Sequence, residues 1–316
     1  MINRRDFLKT TAATTSLATA GAATVSAAVP SATADRTFSY CLNTSTIREQ
    51  TKDIRKQIQI ASEAGYDGIE PWMRHLQAYT DAGGSLSDLN KMIKDAGLTV
   101  DSAIGFANWI VDDPDKRKQG LEAARRDMDI LAQIGGTRIA APPVGAHGKD
   151  APKLDPFVMA ERYRALLEVG DETGVVPQLE VWGFSRNLSR LGESVMVCVE
   201  ASHPKACLLP DVYHIFKGGS DFGGLELLHE NAIQAFHMND YPAEPAREQM
   251  KDADRVYPGD GVAPLADILN MVCGRGRTVV LSLELFNPAY WKQDALLVAK
   301  TGLAKMKRSV EAAKIQ

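Results

Sequence analysis

Four side chains that commonly bind metals stand near the ends of apolar runs in the second half of the chain. They are Glu180, Asp211, His237 and Glu284. Three carboxylates and one imidazole form an oxygen-rich ligand set, which suits Mn²⁺ best, fits Mg²⁺, and tolerates Co²⁺ or Zn²⁺. One such acid alone would more simply cap a strand or pair with a surface lysine. Burying all four without a partner would cost several kcal/mol each, so the pattern predicts one bound divalent metal ion.

Two of these ligands, Glu180 and Glu284, also suit proton transfer next to a carbonyl group. A metal that holds a substrate carbonyl and hydroxyl stabilises the negative charge of an enediolate. One carboxylate can then remove a proton from carbon while the other returns it. We therefore expect both glutamates to be catalytic, with His214 as a third catalytic group that polarises a substrate oxygen. The alternative for His214 is to orient Asp211.

Aromatic and charged residues close to the same strand ends are candidates for substrate contact. Sugar rings pack on aromatic faces, although simple loop packing would explain each aromatic residue equally well. The charged candidates would either bind substrate or brace loops, and Glu70 and His75 are weaker candidates. The predicted substrate contacts are His214, Trp72, Phe106, Trp182, Asp240 and Arg255.

Eight short apolar runs alternate with amphipathic stretches along the chain. The runs are Phe38–Asn43, Gly68–Trp72, Thr99–Phe106, Thr137–Pro142, Val176–Trp182, Ala206–Tyr213, Ala232–Asn239 and Thr278–Phe286. Helical periodicity is clearest in Thr51–Ala64, Leu121–Ile134, Met159–Thr173 and Leu296–Ala312. Buried parallel strands joined by helices form either a doubly wound open sheet or a closed barrel. Eight units without a Gly-rich phosphate loop after the first strand favour a single (β/α)₈ TIM barrel, whose chemistry lies at the carboxyl ends of its strands.

The first 34 residues have the features of an export signal. Arg4 and Arg5 precede an apolar pair and Lys9, an Ala- and Thr-rich stretch follows, and Ala32-Thr33-Ala34 is a small-x-small cleavage site. We therefore expect a twin-arginine signal peptide over residues 1–34, a barrel domain over 35–316, and a periplasmic or otherwise extracytoplasmic protein.

The amino-acid composition indicates which classes of binding partner the protein can have. The net charge of the 316-residue chain is −4 and its basic residues form no stripe, so nucleic acid is disfavoured. The N-terminal stretch is too rich in threonine for stable membrane insertion. The four cysteines lack a CxxC spacing and are expected to be buried free thiols. We expect a small carbohydrate as the partner, and the sequence is compatible with a homo-oligomer.

The ordered set of strand-end residues resembles the xylose-isomerase-like barrel superfamily, which includes sugar isomerases, epimerases, inosose dehydratases and an apurinic endonuclease branch. The step from Asp211 to His214 is similar to the Asp-x-x-His of its sixth strand, where Asp holds the metal and His reaches substrate. Pro-Gly-Asp-Gly at 258–261 is similar to the turn before its seventh helix. The resemblance implies a metal-dependent enzyme acting on sugars.

Departures from the family pattern separate its branches. Ketose 3-epimerases carry a glutamate and an arginine where this chain has Arg186 and Ala243, and Asn239 replaces a common lysine. The endonuclease branch needs further histidines that are missing here, so DNA repair is rejected. The leading hypothesis is a sugar isomerase or epimerase. The alternatives are a lyase or dehydratase acting on a 3-keto-glycoside or inosose, and a non-catalytic sugar-binding protein.

Overall fold

The computed structural model describes residues 38–273 and 277–315. The predicted signal peptide at 1–34 lies outside these residues. The eight strands that are described are β1 (Phe38–Asn43), β2 (Gly68–Glu70), β3 (Thr99–Val100), β4 (Arg138–Ala141), β5 (Val176–Glu180), β6 (Leu208–Leu209), β7 (Ala235–Met238) and β8 (Val279–Leu283). Each coincides with a run expected from the sequence.

Helices separate the strands throughout the described chain. They are α1 (Ile54–Ala64), α2 (Met73–Asp81), α3 (Leu86–Asp95), α4 (Pro114–Gln133), α5 (Pro156–Thr173), α6 (Leu191–Glu200), α7 (Val212–Lys217), α8 (Leu265–Val272), α9 (Pro288–Trp291) and α10 (Ala295–Ala312). Aspartate caps open the two longest of the first five helices: Asp113 precedes Pro114 and Asp155 precedes Pro156. Gly65 and Gly174 end α1 and α5 in the left-handed conformation, as their positions predict.

The strands are parallel and follow the chain around a closed barrel. One sheet has the order β3-β2-β1-β8-β7 and the other β4-β5-β6. The parallel bridge between Asp211 and His237 joins β6 to β7. On the other side, the Ala140 amide donates to the Ala103 carbonyl at 2.8 Å and joins β4 to the segment after β3. The predicted (β/α)₈ fold is thereby confirmed.

Two apolar clusters fill the fold. The larger packs the strands against the helices and includes Leu42, Ile69, Leu179 and Phe236. A smaller one lies inside the barrel, as expected where strands alternate their side chains between the two faces. Its members are Cys41, Trp72, Ile104, Ala140, Leu209, Ala235 and Val280.

The sixth strand is shorter than the run that predicts it. The backbone turns into α7 at Val212 because Asp211 caps that helix, its side chain accepting a hydrogen bond from the His214 amide. Cys41 and Cys207 are buried thiols as expected, whereas Cys198 and Cys273 are partly exposed. Within 38–273 and 277–315, no helix combines the length and the apolar character that crossing a membrane requires.

Candidate metal and substrate site

Three of the four predicted ligands converge at the carboxyl ends of their strands. Ligand atoms of Glu180, His237 and Glu284 all lie within 4.8 Å of one another. The distances from His237 Nδ1 are 3.3 Å to Glu284 Oε2 and 3.9 Å to Glu180 Oε1. All three side chains are buried. The strand ends thus bring two carboxylates and one imidazole nitrogen to a single point.

Asp211, the fourth predicted ligand, borders this group but is engaged with protein donors. Its Oδ2 lies 3.8 Å from His237 Nδ1. The same oxygen accepts hydrogen bonds from Asn239 Nδ2 and from Arg255 Nη1, both at 2.9 Å. Oδ1 accepts from the His214 amide at 2.8 Å. Asp211 is therefore close enough to complete the ligand set, and its role as a ligand stays a prediction.

Two buried atoms of the cluster have no hydrogen-bond partner. They are His237 Nδ1 and Glu180 Oε2. Leaving a buried polar atom without a partner costs about 1–3 kcal/mol, so two such atoms in one cluster indicate that a ligand binds there. A divalent cation between them would satisfy both, and the residues present therefore fit the predicted metal.

Glu70, at the end of β2, fixes the orientation of His237. Its Oε2 lies 3.0 Å from His237 Nε2 and also accepts from Asn43 Nδ2 at 2.9 Å and Ser282 Oγ at 2.6 Å. An imidazole that donates from Nε2 to a carboxylate presents Nδ1 as a lone pair, which is how metal-binding histidines are oriented. Nδ1 of His237 faces the cluster. Burial lowers the pKa of His237, but the charges of Glu284 and Glu70 outweigh it and raise the pKa, so a metal would take the place of the proton on Nδ1.

The pKa values of Glu180 and Glu284 are shifted in opposite directions. Burial raises the pKa of Glu180 to about 8, with the negative charge of Glu284 adding to the effect. Burial acts in the same direction on Glu284, but the positive charges of His237 and Arg255 outweigh it and hold its pKa well below the usual range. Carboxyl groups whose pKa values are pushed apart in this way can serve as an acid and a base in one site.

Arg255 links the metal ligands to His214. Its Nη1 donates to Glu284 Oε2 at 2.8 Å as well as to Asp211, and its Nη2 lies 2.9 Å from His214 Nε2. The guanidinium is 1% exposed. Burial and the charge of Arg255 lower the pKa of His214, so its imidazole is neutral and accepts from the guanidinium.

A cleft of about 180 Å³ opens above the cluster. Its floor is formed by Glu180, Glu284, His214 and Arg255, and its walls are mainly aromatic. The lining residues are Trp72, Ile104, Phe106, Glu180, Trp182, Phe184, His214, Asp252, Arg255, Glu284 and Phe286. A larger groove of about 550 Å³ lies beside α6, but its lining, which includes Val195 and Leu227, lacks the carboxylate cluster. The smaller cleft is the candidate substrate site.

Comparison with known proteins agrees with this arrangement. The sequence pattern of the family described as xylose isomerase-like TIM barrel matches residues 58–309. The chain belongs to this family.

The curated relatives of the chain include both isomerases and dehydratases. An inosose isomerase of Bacillus velezensis is 25% identical over 266 residues, which is 83% of this chain and 93% of that protein. A 3-dehydroshikimate dehydratase of Pseudomonas putida is 22% identical over 79% of this chain, and the match spans 39% of that protein. The solved structure of the IolI protein with a bound zinc atom superposes with a TM-score of 0.78, at 21% identity, over 87% of this chain and 99% of that one.

In this xylose isomerase-like barrel, most predicted substrate contacts line the cleft. Trp72, Phe106, Trp182, His214 and Arg255 do so. Asp240 does not belong to that lining. Its buried carboxylate accepts hydrogen bonds from four backbone amides, those of Tyr241, Gly259, Gly261 and Ala263, at 2.8 to 3.1 Å. The expectation that Asp240 contacts substrate is therefore corrected to its alternative: Asp240 braces the loop before α8.

Sequence reasoning missed several residues of the candidate site. Phe184, Phe286 and Asp252 line the cleft without having been singled out. Glu70 ends a strand like the other acids, a signal that was available, but its pairing with His237 joins residues 167 positions apart. Only the closed barrel brings these two strand ends together.

Proposed function

We propose that the protein is a divalent-metal-dependent isomerase or epimerase that moves a proton next to the carbonyl group of a sugar or cyclitol. The observation that carries the proposal is the buried cluster of Glu180, His237 and Glu284, whose two glutamates line a largely aromatic cleft. Inosose isomerases among the curated relatives support the same reaction class.

The metal would be held by Glu180, His237 and Glu284, with Asp211 as the fourth ligand. The unpartnered Nδ1 of His237 and Oε2 of Glu180 support this assignment, as does the zinc atom in the IolI structure. Mn²⁺ remains our preferred ion because the ligand set is rich in oxygen. A bound divalent cation would supply Lewis-acid stabilisation of the negative charge that develops on the substrate oxygens.

Glu284 and Glu180 divide the proton transfer between them. Glu284, whose pKa is held low, is ionised and would take the proton from the carbon beside the carbonyl. Glu180 would hold a proton on the carboxylate oxygen turned away from the metal and return it. Return to the neighbouring carbon, or to the opposite face of the same carbon, gives isomerisation or epimerisation through an enediolate.

His214 and Arg255 would position the substrate beside this pair. Both line the cleft, and Arg255 is fixed by Asp211, Glu284 and Asp252. The Nη hydrogens of Arg255 are committed to these carboxylates and to His214, so the two side chains would position the substrate by shaping the cleft. A neutral imidazole beside a guanidinium does not exchange protons at neutral pH. Trp72, Phe106 and Trp182 would pack against the ring faces and keep water away.

The same groups would support a lyase or dehydratase acting on a 3-keto-glycoside or an inosose. The 3-dehydroshikimate dehydratase relatives favour this second candidate. Here the proton leaves in the same way, but Glu180 would give its proton to the departing oxygen rather than to carbon. The two candidates differ in product and share the first step.

Deuterium incorporation tests the shared step. Metal-loaded full-length protein is incubated in D₂O with a panel of ketoses, inososes and 3-keto-glycosides, the metal is removed, and ¹H-NMR spectra are recorded. We expect loss of the proton beside the carbonyl of one substrate class, with product signals that separate isomerisation from elimination. No exchange with any compound of the panel would contradict the proposal.

Matched variants make the test specific. Glu284→Gln and Glu180→Gln keep shape and one oxygen ligand while removing the acid or base, so the exchange rate should fall by about 10²–10⁴-fold. Glu200→Gln, at the exposed end of α6, is the control and should exchange like the wild type. Wild-type rates in both site variants would favour a protein that binds sugars without transforming them.

A further inference from the structure

The size of the cleft limits what it can enclose. Its volume is about 180 Å³. This is below the roughly 300–1,000 Å³ of typical small-molecule pockets, so the cleft suits one six-membered polyhydroxy ring rather than two. A group attached to that ring through a glycosidic oxygen would lie outside the cleft, over its rim.

Phe184 stands on that rim with its ring in solvent. It is 45% exposed, while the other aromatic residues of the cleft wall are buried or half-buried. Its ring centroid lies 5.2 Å from that of Trp182 with an interplanar angle of 32°, and His147 packs edge-on against Trp182 at 5.4 Å. We call His147, Trp182 and Phe184 the aromatic platform.

Backbone hydrogen bonds fix the loops that carry the aromatic platform. The Ser185 amide donates to the Trp182 carbonyl at 2.8 Å and closes a turn, and the Arg186 amide donates to the His147 carbonyl at 2.9 Å. The bond from Arg186 to His147 ties the loop after β5 to the loop after β4. Gly183 packs so closely on α7 that an added Cβ would lie 2.3 Å from the His214 carbonyl oxygen. An exposed aromatic ring on such a fixed loop is ready to bind without ordering cost.

The opposite wall of the cleft is already covered. The guanidinium of Arg74 lies 4.1 Å from the Trp72 ring centroid and 5.4 Å from that of Phe106. The guanidinium of Arg48 lies 5.0 Å from the centroids of both Trp72 and Phe286. Phe184 is therefore the aromatic residue at the cleft rim whose ring is open to a ligand.

We propose that the aromatic platform is a second subsite, which binds the ring attached to the reacting ring, so that the substrate is a glycoside rather than a free monosaccharide. The inference rests on the proposed function and specifies its substrate class. The C–H face of a second sugar and the face of an aryl aglycone both pack on aromatic rings. Continuity of the platform with the cleft wall through Trp182 places the second ring beside the first.

Binding of unreactive analogues tests the subsite. Dissociation constants of methyl β-D-glucopyranoside, phenyl β-D-glucopyranoside and cellobiose are measured by calorimetry on the Zn²⁺-loaded full-length protein. We expect the phenyl glucoside or cellobiose to bind about tenfold more tightly than the methyl glucoside, the size expected for one ring-stacking contact. The phenyl glucoside and cellobiose identify an aryl and a sugar preference respectively. Equal constants for all three compounds would overturn the proposal.

Variants of Phe184 show whether that advantage comes from the platform. Phe184→Ala should remove the preference, so that the three ligands bind with similar constants, whereas Phe184→Trp should keep it. Phe157→Ala is the control, since Phe157 is 55% exposed on α5 away from the cleft. If Phe184→Ala still binds the larger ligands more tightly than the methyl glucoside, or weakens the binding of all three ligands equally, Phe184 does not provide the second subsite.

Failure of the subsite and failure of the proposed function are distinguishable. Deuterium exchange into a keto-sugar without any ring preference would reject the subsite alone. A ring preference that depends on Phe184, without exchange into any keto-sugar, would reject the enzyme and leave a glycoside-binding site.

Discussion

Glu70 Oε2 and His237 Nε2 lie 3.0 Å apart, and both side chains are fully buried. The contact sets which imidazole nitrogen faces Glu180 and Glu284. Glu70 is therefore expected to tune a metal site that it does not touch, in the manner of the carboxylates that orient metal-binding histidines.

Replacing Glu70 should weaken metal binding without abolishing it. Glu70→Gln loses the charge that holds the Nε2 proton, so the affinity for Zn²⁺ should fall by about 10–100-fold. Competition with a chromogenic chelator measures the constant, and Glu200→Gln provides the exposed control. An unchanged affinity would mean that Glu70 only packs against His237.

Arg255 should be a determinant of stability as well as of the site. It bridges Asp211 and Glu284, so Arg255→Met would leave two buried carboxylates without their cation and should cost about 3–5 kcal/mol of unfolding free energy. Urea unfolding in a chelating buffer measures this loss. Arg55→Met is the control: the Arg55 side chain is 58% exposed in its ion pair with Asp53, so its loss should leave the free energy of unfolding nearly unchanged. If Arg255→Met loses no more unfolding free energy than Arg55→Met, the contacts of Arg255 with Asp211 and Glu284 do not stabilise the fold.

His75 should make stability fall in acid. Burial, and next the charge of Arg74, lower the pKa of His75 to about 4, below the value of about 6.5 in an unfolded chain. Between these values the unfolded chain binds a proton that the folded protein does not, so the free energy of unfolding decreases as pH falls from 6.5 to 4. Relative to His75→Gln, the wild type should lose ~1–3 kcal/mol over this window, measured by urea midpoints. Parallel pH profiles would refute the assignment.

The strand-end acids could be predicted because parallel strands in a barrel all finish at one face. That rule placed Glu180, His237 and Glu284 together at this face. The prediction for Asp240 was wrong, and several cleft residues were not predicted. In both cases the contacts that decide the role join segments far apart in the sequence. Asp240 also follows a strand closely, but the loop before α8 folds back over its carboxylate. Phe184 belongs to a loop whose direction the sequence pattern does not specify.

Export by the twin-arginine route remains a prediction from residues 1–34. Lysine at both positions 4 and 5 should keep the precursor in the cytoplasm, because the paired guanidinium groups are the feature that the route recognises. Cell fractionation followed by immunoblotting measures the distribution, with Lys9→Arg as a charge-preserving control. Normal export of the double variant would show that the motif is not a twin-arginine signal.

Metal content tests the central claim most directly. Full-length protein is reconstituted with Mn²⁺ or Zn²⁺, freed of excess ion by gel filtration and assayed by plasma mass spectrometry. We predict close to one equivalent of metal in the wild type, and loss of that metal in His237→Ala and Asp211→Ala, each checked for folding by circular dichroism. Wild-type protein that retains no metal after reconstitution, or folded His237→Ala that retains a full equivalent, would contradict the account.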